Sequence, residues 1–166
     1  PYATSKACAD LIAQSYFKTY GLNVNVIRCA NIYGLRDMNL SRLIPNTILK
    51  ILAGKKPQIY SGVLHFKREF LFIEDVCEAY HLLSTKGKAG EIYNIGDDEF
   101  VTIQEAVEHI SEILNFNGEY EIIEKDFLEI PFQYMSADKL KSLGWSKSHS
   151  FKEGLIKTID WYKNNN

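Results

Sequence analysis

The stretch SKACADLIAQSYFKTYGLNVNVIRC, from Ser5 to Cys29, decides the fold class. Cys8, Leu11, Ile12, Tyr16 and Tyr20 recur at helical spacing, Ala9, Ala13 and Phe17 widen the stripe, and Gly21 supplies a C-terminal stop. The pattern predicts a well-buried helix from Ser5 to Tyr20. From Asn23 to Cys29 the period changes to a β-branched run with Val24, Val26 and Ile27, short enough for a parallel strand covered on both faces. A helix that hands over to such a strand argues for an α/β class.

The alternation continues outward. Gly34 to Ser41 is a polar loop, and the turn after Asn31 is the nearest approach to a domain boundary. Leu43, Ile44, Ile48, Leu49 and Leu52 form a second amphipathic helix that stops at Gly54. Pro57 to Tyr60 and Phe70 to Ile73 read as short strands, separated by a loop holding Gly62 and the basic pair Lys67-Arg68. A helix from Glu74 to Leu83 and a strand from Glu91 to Ile95 follow. Thr102-Ile103-Gln104-Glu105 is a capping box that opens a helix with Ala106, Val107, Ile110, Ile113 and Leu114 on one side. Tyr120 to Ile123 reads as a strand, Ser136 caps a short helix ending at Gly144, and Ser150 to Glu153 is a second capping box.

Composition removes several classes of function. With 166 residues, 46% hydrophobic and 24% charged, the chain can bury a core, which excludes disorder. Lys plus Arg number 19 against 21 Asp plus Glu, so no basic field draws nucleic acid or an anionic membrane, and no apolar run approaches a membrane span. Any phosphate must therefore meet a few placed donors. Cys8, Cys29 and Cys77 lack metal or redox spacing and read as buried thiols of a reducing cytoplasm. His65, His81, His109 and His149 lack ligand spacing, so no metal is expected. There is no G-x-G-x-x-G and no Walker loop. The chain opens at Pro1-Tyr2 without a methionine, directly before the helical pattern, which reads as a cut in a longer protein.

Tyr2 and Lys6 are four apart, which places both side chains on one helix face. An ammonium beside a phenol favours the phenolate and suits the pair to proton transfer. On spacing alone, two solvated residues at a helix start are the more frequent reading.

Tyr2-Ala3-Thr4-Ser5-Lys6 resembles the Y-x-x-x-K motif of short-chain dehydrogenases/reductases. Five further segments follow in the order of the extended branch, the NAD-dependent nucleotide-sugar epimerases and dehydratases. They are Arg28-Cys29-Ala30-Asn31-Ile32-Tyr33-Gly34, Leu43-Ile44-Pro45, Arg68-Glu69-Phe70 with Glu74-Asp75-Val76, Tyr93-Asn94-Ile95-Gly96, and Leu143-Gly144-Trp145. Within the branch, Ser5 to Ala13, Asp37 to Pro45 and Glu129 to Tyr134 resemble CDP-glucose 4,6-dehydratases most.

The resemblance implies an α/β fold holding the last part of a Rossmann-type NAD-binding domain, residues 1–33. A smaller α/β nucleotide-sugar-binding region follows in residues 34–166, with Rossmann elements interleaved. It implies that Tyr2 takes a proton from a sugar hydroxyl as hydride leaves the same carbon for NAD, while Lys6 binds the nicotinamide ribose. Asn31 and Arg68 would meet the phosphates, and Arg42, Tyr60 and Gln133 would line the nucleotide. The plainer alternatives are a turn-forming Asn31, an exposed ion pair at Arg68, a solvated charge at Arg42 and an ordinary strand tyrosine at Tyr60. Two departures stand out: Glu69 replaces the usual aspartate after Arg68, and Gln133 stands where many members have an arginine. A neutral amide there can read a base or ribose edge but adds no charge to the phosphates.

The expectation is the carboxy-terminal part of a nucleotide-sugar 4,6-dehydratase acting on CDP-glucose as a homodimer. A 4-epimerase of the same family and a catalytically inactive binding or assembly fragment are the alternatives.

Overall fold

The computed structural model describes residues 1–96, 98–125 and 129–165. In chain order the elements are α1 (Tyr2–Tyr20), β1 (Val26–Cys29), β2 (Asn31–Tyr33), α2 (Leu43–Leu52), β3 (Gln58–Tyr60), β4 (Lys67–Phe72) and α3 (Ile73–Lys86). Then follow β5 (Ile92–Ile95), β6 (Phe100–Thr102), α4 (Ile103–Ile113), β7 (Glu121–Ile123), α5 (Asp138–Lys141) and α6 (Phe151–Asn165). The fold is α/β. Among the described residues, no helix is long and apolar enough to cross a membrane.

Among the described residues, three sheets organise the strands. β1 pairs in parallel with β5, Val26 opposite Ile92 and Cys29 opposite Ile95. β4 is the middle strand of the second sheet, parallel to β2 with Asn31 opposite Phe70, and antiparallel to β6 with Lys67 opposite Thr102. β3 and β7 form a parallel pair.

Because side chains alternate along a strand, β4 divides the apolar interior in two. Phe70 and Phe72 point into a core shared with Tyr33, Ile48 of α2, Ile110 of α4 and Leu155 of α6. Leu71 points the other way, into a core with Val76 and Leu83 of α3, Ile95 of β5, Leu140 and Trp145.

Several expectations are corrected. The loop proposed after Asn31 is strand β2, and only Ala30 separates it from β1. Ala30 still donates its N–H to Ile95 O, so the chain passes from one sheet into the next without leaving the interior. β6 was not foreseen. The basic pair Lys67-Arg68, read as loop, begins β4, and both Arg68 and Glu69 are buried.

The largest correction concerns α1, none of whose residues is buried. Its packed face is Asp10, Ala13, Gln14 and Phe17, which follow one another at helical spacing and are half-buried. The more apolar stripe faces outward, with Leu11 65% and Ile12 57% exposed. Two contacts set this rotation: Arg28 Nε donates to Asp10 Oδ2 at 2.7 Å, and the Phe17 ring lies against Gly90, where a Cβ would sit 2.1 Å from it. Cys8, on this outward stripe, is exposed, and so is Cys77 of α3. Cys29 alone of the three is half-buried, and burial pushes its thiol pKa up against a hydrogen bond with Tyr80 that lowers it.

Both capping boxes form. Glu105 N–H donates to Thr102 Oγ1 at 3.0 Å while Glu105 Oε2 accepts from Thr102 N, and Ser150 and Glu153 repeat the exchange. The hydrogen bond from the Thr102 backbone holds the Glu105 carboxyl below its ordinary range. A depressed folded pKa means stability that is present above the ordinary glutamate range and lost as pH falls through the folded value. Glu105→Gln should therefore be less stable than the wild type at neutral pH. Paired urea titrations should show the gap closing in acid below the ordinary glutamate range.

Gly154 gives a steric test. A Cβ there would meet Tyr33 Oη at 2.1 Å and the Phe72 ring at 2.9 Å. Gly154→Ala gains ~1 kcal/mol of helix propensity. Over-packing of the first core should outweigh this, for a net loss of about 1–2 kcal/mol in denaturant unfolding.

Candidate functional site

Tyr2 and Lys6 occupy the first two turns of α1. Ser5 Oγ donates to Tyr2 O at 2.7 Å, and Lys6 Nζ lies 5.6 Å from the Tyr2 ring centroid. Tyr2 is 75% exposed, so its hydroxyl is open to a ligand. The spacing read from sequence thus puts phenol and ammonium side by side.

β1 connects this pair to the next candidate. Phe17 packs near the entry to β1 through Gly90, whose N–H donates to Val24 O, and Asp10 meets Arg28 nearer the exit. The strand therefore runs antiparallel to the helix. The Arg28 guanidinium holds the Asp10 carboxyl below the usual carboxylate range and fixes the register. From that point, Asn31 lies roughly 10 Å along the strand direction, and Lys6 and Tyr2 lie roughly 6 and 12 Å back along the helix. All three face the same end of the β1–β5 pair, where the strands present their carboxyl ends, the usual place for ligands in α/β sheets.

A second group gathers at the start of β4. Asn31 Nδ2 donates to Glu69 O at 3.1 Å, so its amide bridges strands and is not a free turn residue. Arg68, 7% exposed, donates through Nη2 to Glu129 Oε2 at 3.1 Å and through Nη1 to the carbonyls of Lys67 and Pro131. The ion pair foreseen as an alternative at Arg68 is present, but the guanidinium is buried and only Glu129 is exposed. Glu69, 1% exposed, accepts from Met135 N at 3.0 Å.

These bonds hold residues 129–135 as a strap over β4, since Lys67 N–H also donates to Pro131 O and Lys67 pairs with Phe132. Gln133 is carried on the strap, exposed, between Phe132 and Tyr134, whose rings both contact Phe100. Sequence reasoning named Arg68, Asn31 and Gln133 but missed Glu129 as partner and Glu69 as anchor. The available signal was two adjacent charges, Arg68 and Glu69, leading directly into the apolar run Phe70-Leu71-Phe72.

Arg42 and Tyr60 take their contacts elsewhere. Arg42 Nη1 donates to Asp37 Oδ2 at 3.0 Å at the entry to α2, and Tyr60 ends β3 with Lys125 Nζ 5.1 Å from its ring centroid. A surface groove along the end of α4, lined by Glu108, Ser111, Glu112, Phe116 and Tyr120, contains none of the candidate residues. The arrangement of Tyr2, Lys6, Asn31 and Arg68 offers proton transfer at one end of a sheet and cationic and amide donors for an anionic ligand beside it.

Comparison with known proteins gives a consistent picture. The NAD dependent epimerase/dehydratase family model matches residues 1–96. A human dTDP-D-glucose 4,6-dehydratase is 37% identical over 172 residues, covering 99% of this chain and 49% of that protein. A trifunctional Arabidopsis thaliana protein with UDP-glucose 4,6-dehydratase activity in its name is 34% identical over 169 residues, covering 99% of this chain and 25% of that protein. The chain thus spans about half the length, or less, of these curated relatives.

Among solved structures, the dTDP-glucose 4,6-dehydratase of Bacillus anthracis in complex with NAD superposes with a TM-score of 0.90 at 37% identity, over 99% of this chain and 52% of that one. The UDP-glucose 4-epimerase of Thermotoga maritima, solved with UDP-glucose, superposes with a TM-score of 0.92 at 25% identity, over 99% and 53%. The α/β fold is that of these Rossmann-type structures, and with the family model matching more than half its length the chain belongs to the NAD-dependent epimerase/dehydratase family.

Proposed function

We propose that the protein carrying this chain is a nucleotide-sugar 4,6-dehydratase. The observation that carries the reading is the placement of Tyr2 and Lys6 on one face of α1, at the end where β1 delivers Asn31. Residues 1–33 then belong to the NAD-binding unit and residues 34–166 to the substrate region, with β5 interleaved into the first through its pairing with β1.

The residues present fit the nicotinamide ribose end of NAD: Tyr2 and Lys6 are exposed neighbours whose hydroxyl and ammonium can reach one ribose. The fit extends no further along the cofactor, because the sequence has no glycine loop for the pyrophosphate. NAD, when bound, supplies the hydride acceptor for oxidation of the sugar and the donor that later restores it.

Tyr2 removes the proton from the hydroxyl at the carbon being oxidised, and Lys6 holds the phenolate and the ribose. Asn31 and Arg68 orient the diphosphate, a role suited to a guanidinium already fixed by Glu129 and two carbonyls. Gln133 reads the nucleotide edge, with Arg42 and Tyr60 as outlying contacts. The exposed stripe of Leu11, Ile12, Tyr16 and Tyr20 supports a homodimer, and the three free cysteines support a cytoplasmic setting.

For the nucleoside we propose cytidine, on the segments Ser5 to Ala13, Asp37 to Pro45 and Glu129 to Tyr134. The relatives described above carry dTDP- and UDP-glucose in their names, so the test compares all three. The full-length protein with NAD should convert CDP-glucose to a 4-keto-6-deoxy product observable by NMR. The same product from dTDP- or UDP-glucose alone would reassign the base and keep the reaction.

The 4-epimerase reading is favoured by the superposition on the Thermotoga maritima enzyme, and formation of UDP-galactose from UDP-glucose would select it. Binding of nucleotide sugar without turnover of any of them would select the inactive fragment. Tyr2→Phe in the full-length protein should lower kcat about 10²–10⁴-fold, the range for a lost acid–base group, while leaving nucleotide-sugar affinity in place. Unchanged turnover would remove Tyr2 from the chemistry.

A further inference from the structure

We infer that Glu69 is a positioning residue that couples Asn31 to Gln133: its backbone carbonyl takes the Asn31 amide and its buried side chain holds the strap that carries Gln133, which sets the distance between the phosphate-binding and nucleotide-reading parts of the site. This deepens the nucleotide-sugar reading above and rests on it.

The argument begins with what a buried carboxylate costs. Glu69 is 1% exposed on a strand whose next three residues are apolar and buried. A carboxylate taken out of water is unfavourable unless donors replace the lost solvent. An apolar residue of similar volume would serve packing alone at lower cost. What the carboxylate does here is accept the Met135 backbone N–H at 3.0 Å, while its own carbonyl accepts the Asn31 amide at 3.1 Å. One residue therefore anchors two segments that are far apart in sequence.

The strap is held from three sides. On one, Lys67 N–H donates to Pro131 O at 2.9 Å and Lys67 pairs with Phe132. On the second, Glu69 takes Met135. On the third, Gly96 at the end of β5 lies so close that a Cβ would stand 1.8 Å from Met135 O. Gln133 and Tyr134 fall between the Phe132 and Met135 anchors, and both are exposed. Among the described residues no hydrogen bond fixes the Gln133 amide, so its position follows from the two anchors on either side of it. Gly96 and Glu69 both act on Met135, one permitting the close approach of its carbonyl and the other fixing its amide.

The test uses the full-length protein, titrated by calorimetry with CDP, UDP and dTDP and assayed with the corresponding nucleotide glucose. Glu69→Ala removes the acceptor and should weaken binding of the preferred nucleotide at least tenfold, raising KM by more than it lowers kcat. Glu69→Gln keeps an acceptor oxygen at the same reach and should stay within about threefold of wild type. Gly96→Ala displaces Met135 through its carbonyl and should reproduce the Glu69→Ala loss.

In a Gln133→Ala background, Glu69→Ala should cost less than it does alone, because the residue it positions is already gone. A general structural role would instead give equal costs in both backgrounds. If Glu69→Ala does not fold, Gly96→Ala and its double variant with Gln133→Ala decide by the same criteria. Wild-type protein that binds none of the three nucleotides overturns the nucleotide-sugar reading. Wild-type protein that binds, with folded variants that bind equally well, overturns the role of Glu69 alone.

Discussion

The parallel pairing of β2 with β4, Asn31 opposite Phe70 and Tyr33 opposite Phe72, is the constraint on which both cores rest. It joins residues 39 positions apart in the chain, and it fixes the alternation that sends Phe70 and Phe72 to one side and Leu71 to the other. α2, α4 and α6 cover the first side and α3 the second. Tyr33 reinforces the join, since its hydroxyl donates to Phe151 O at 2.9 Å and its ring lies edge-on to Phe70 and Phe151. A shift of one residue in this register would put Leu71 among the aromatics and turn Phe70 and Phe72 toward α3.

The same strand explains why the candidate site is where it is. β4 is apolar over Phe70 to Phe72 and charged over Lys67 to Glu69, so one strand is both core and site. Within that charged half, Arg68 and Glu69 are buried because both are partnered: Arg68 by Glu129 and two carbonyls, Glu69 by the Met135 amide. Charged residues of this kind belong inside only when they have such partners. The partners Glu129, Pro131 and Met135 lie more than 60 positions away in sequence, and the reading of Lys67-Arg68 as loop failed for that reason.

α1 shows a different balance. Its outward stripe is more apolar than its packed face, and an ion pair with a single aromatic contact, Asp10 with Arg28 and Phe17 with Gly90, decides which side meets β1. Hydrophobic periodicity reports that a face wants cover but not which element supplies it. Here Cys8, Leu11, Ile12, Tyr16 and Tyr20 are left facing out, while the site pair Tyr2 and Lys6 keeps the geometry that i, i+4 spacing dictates.

By itself the sequence determined what is local: the helix from Ser5 to Tyr20, both capping boxes, the apolar strand cores, the four-residue step from Tyr2 to Lys6, and the family to which the ordered motifs point. These follow from spacings of a few residues, where backbone geometry leaves little choice. Only the tertiary structure decided that Asn31 begins a strand, that Arg68 and Glu69 are buried, that Glu129 and Met135 hold them, and that α1 turns its apolar stripe outward. Each of these depends on which distant segment fills a hydrogen bond or covers a face, and partners of that kind carry no mark in the residues next to them.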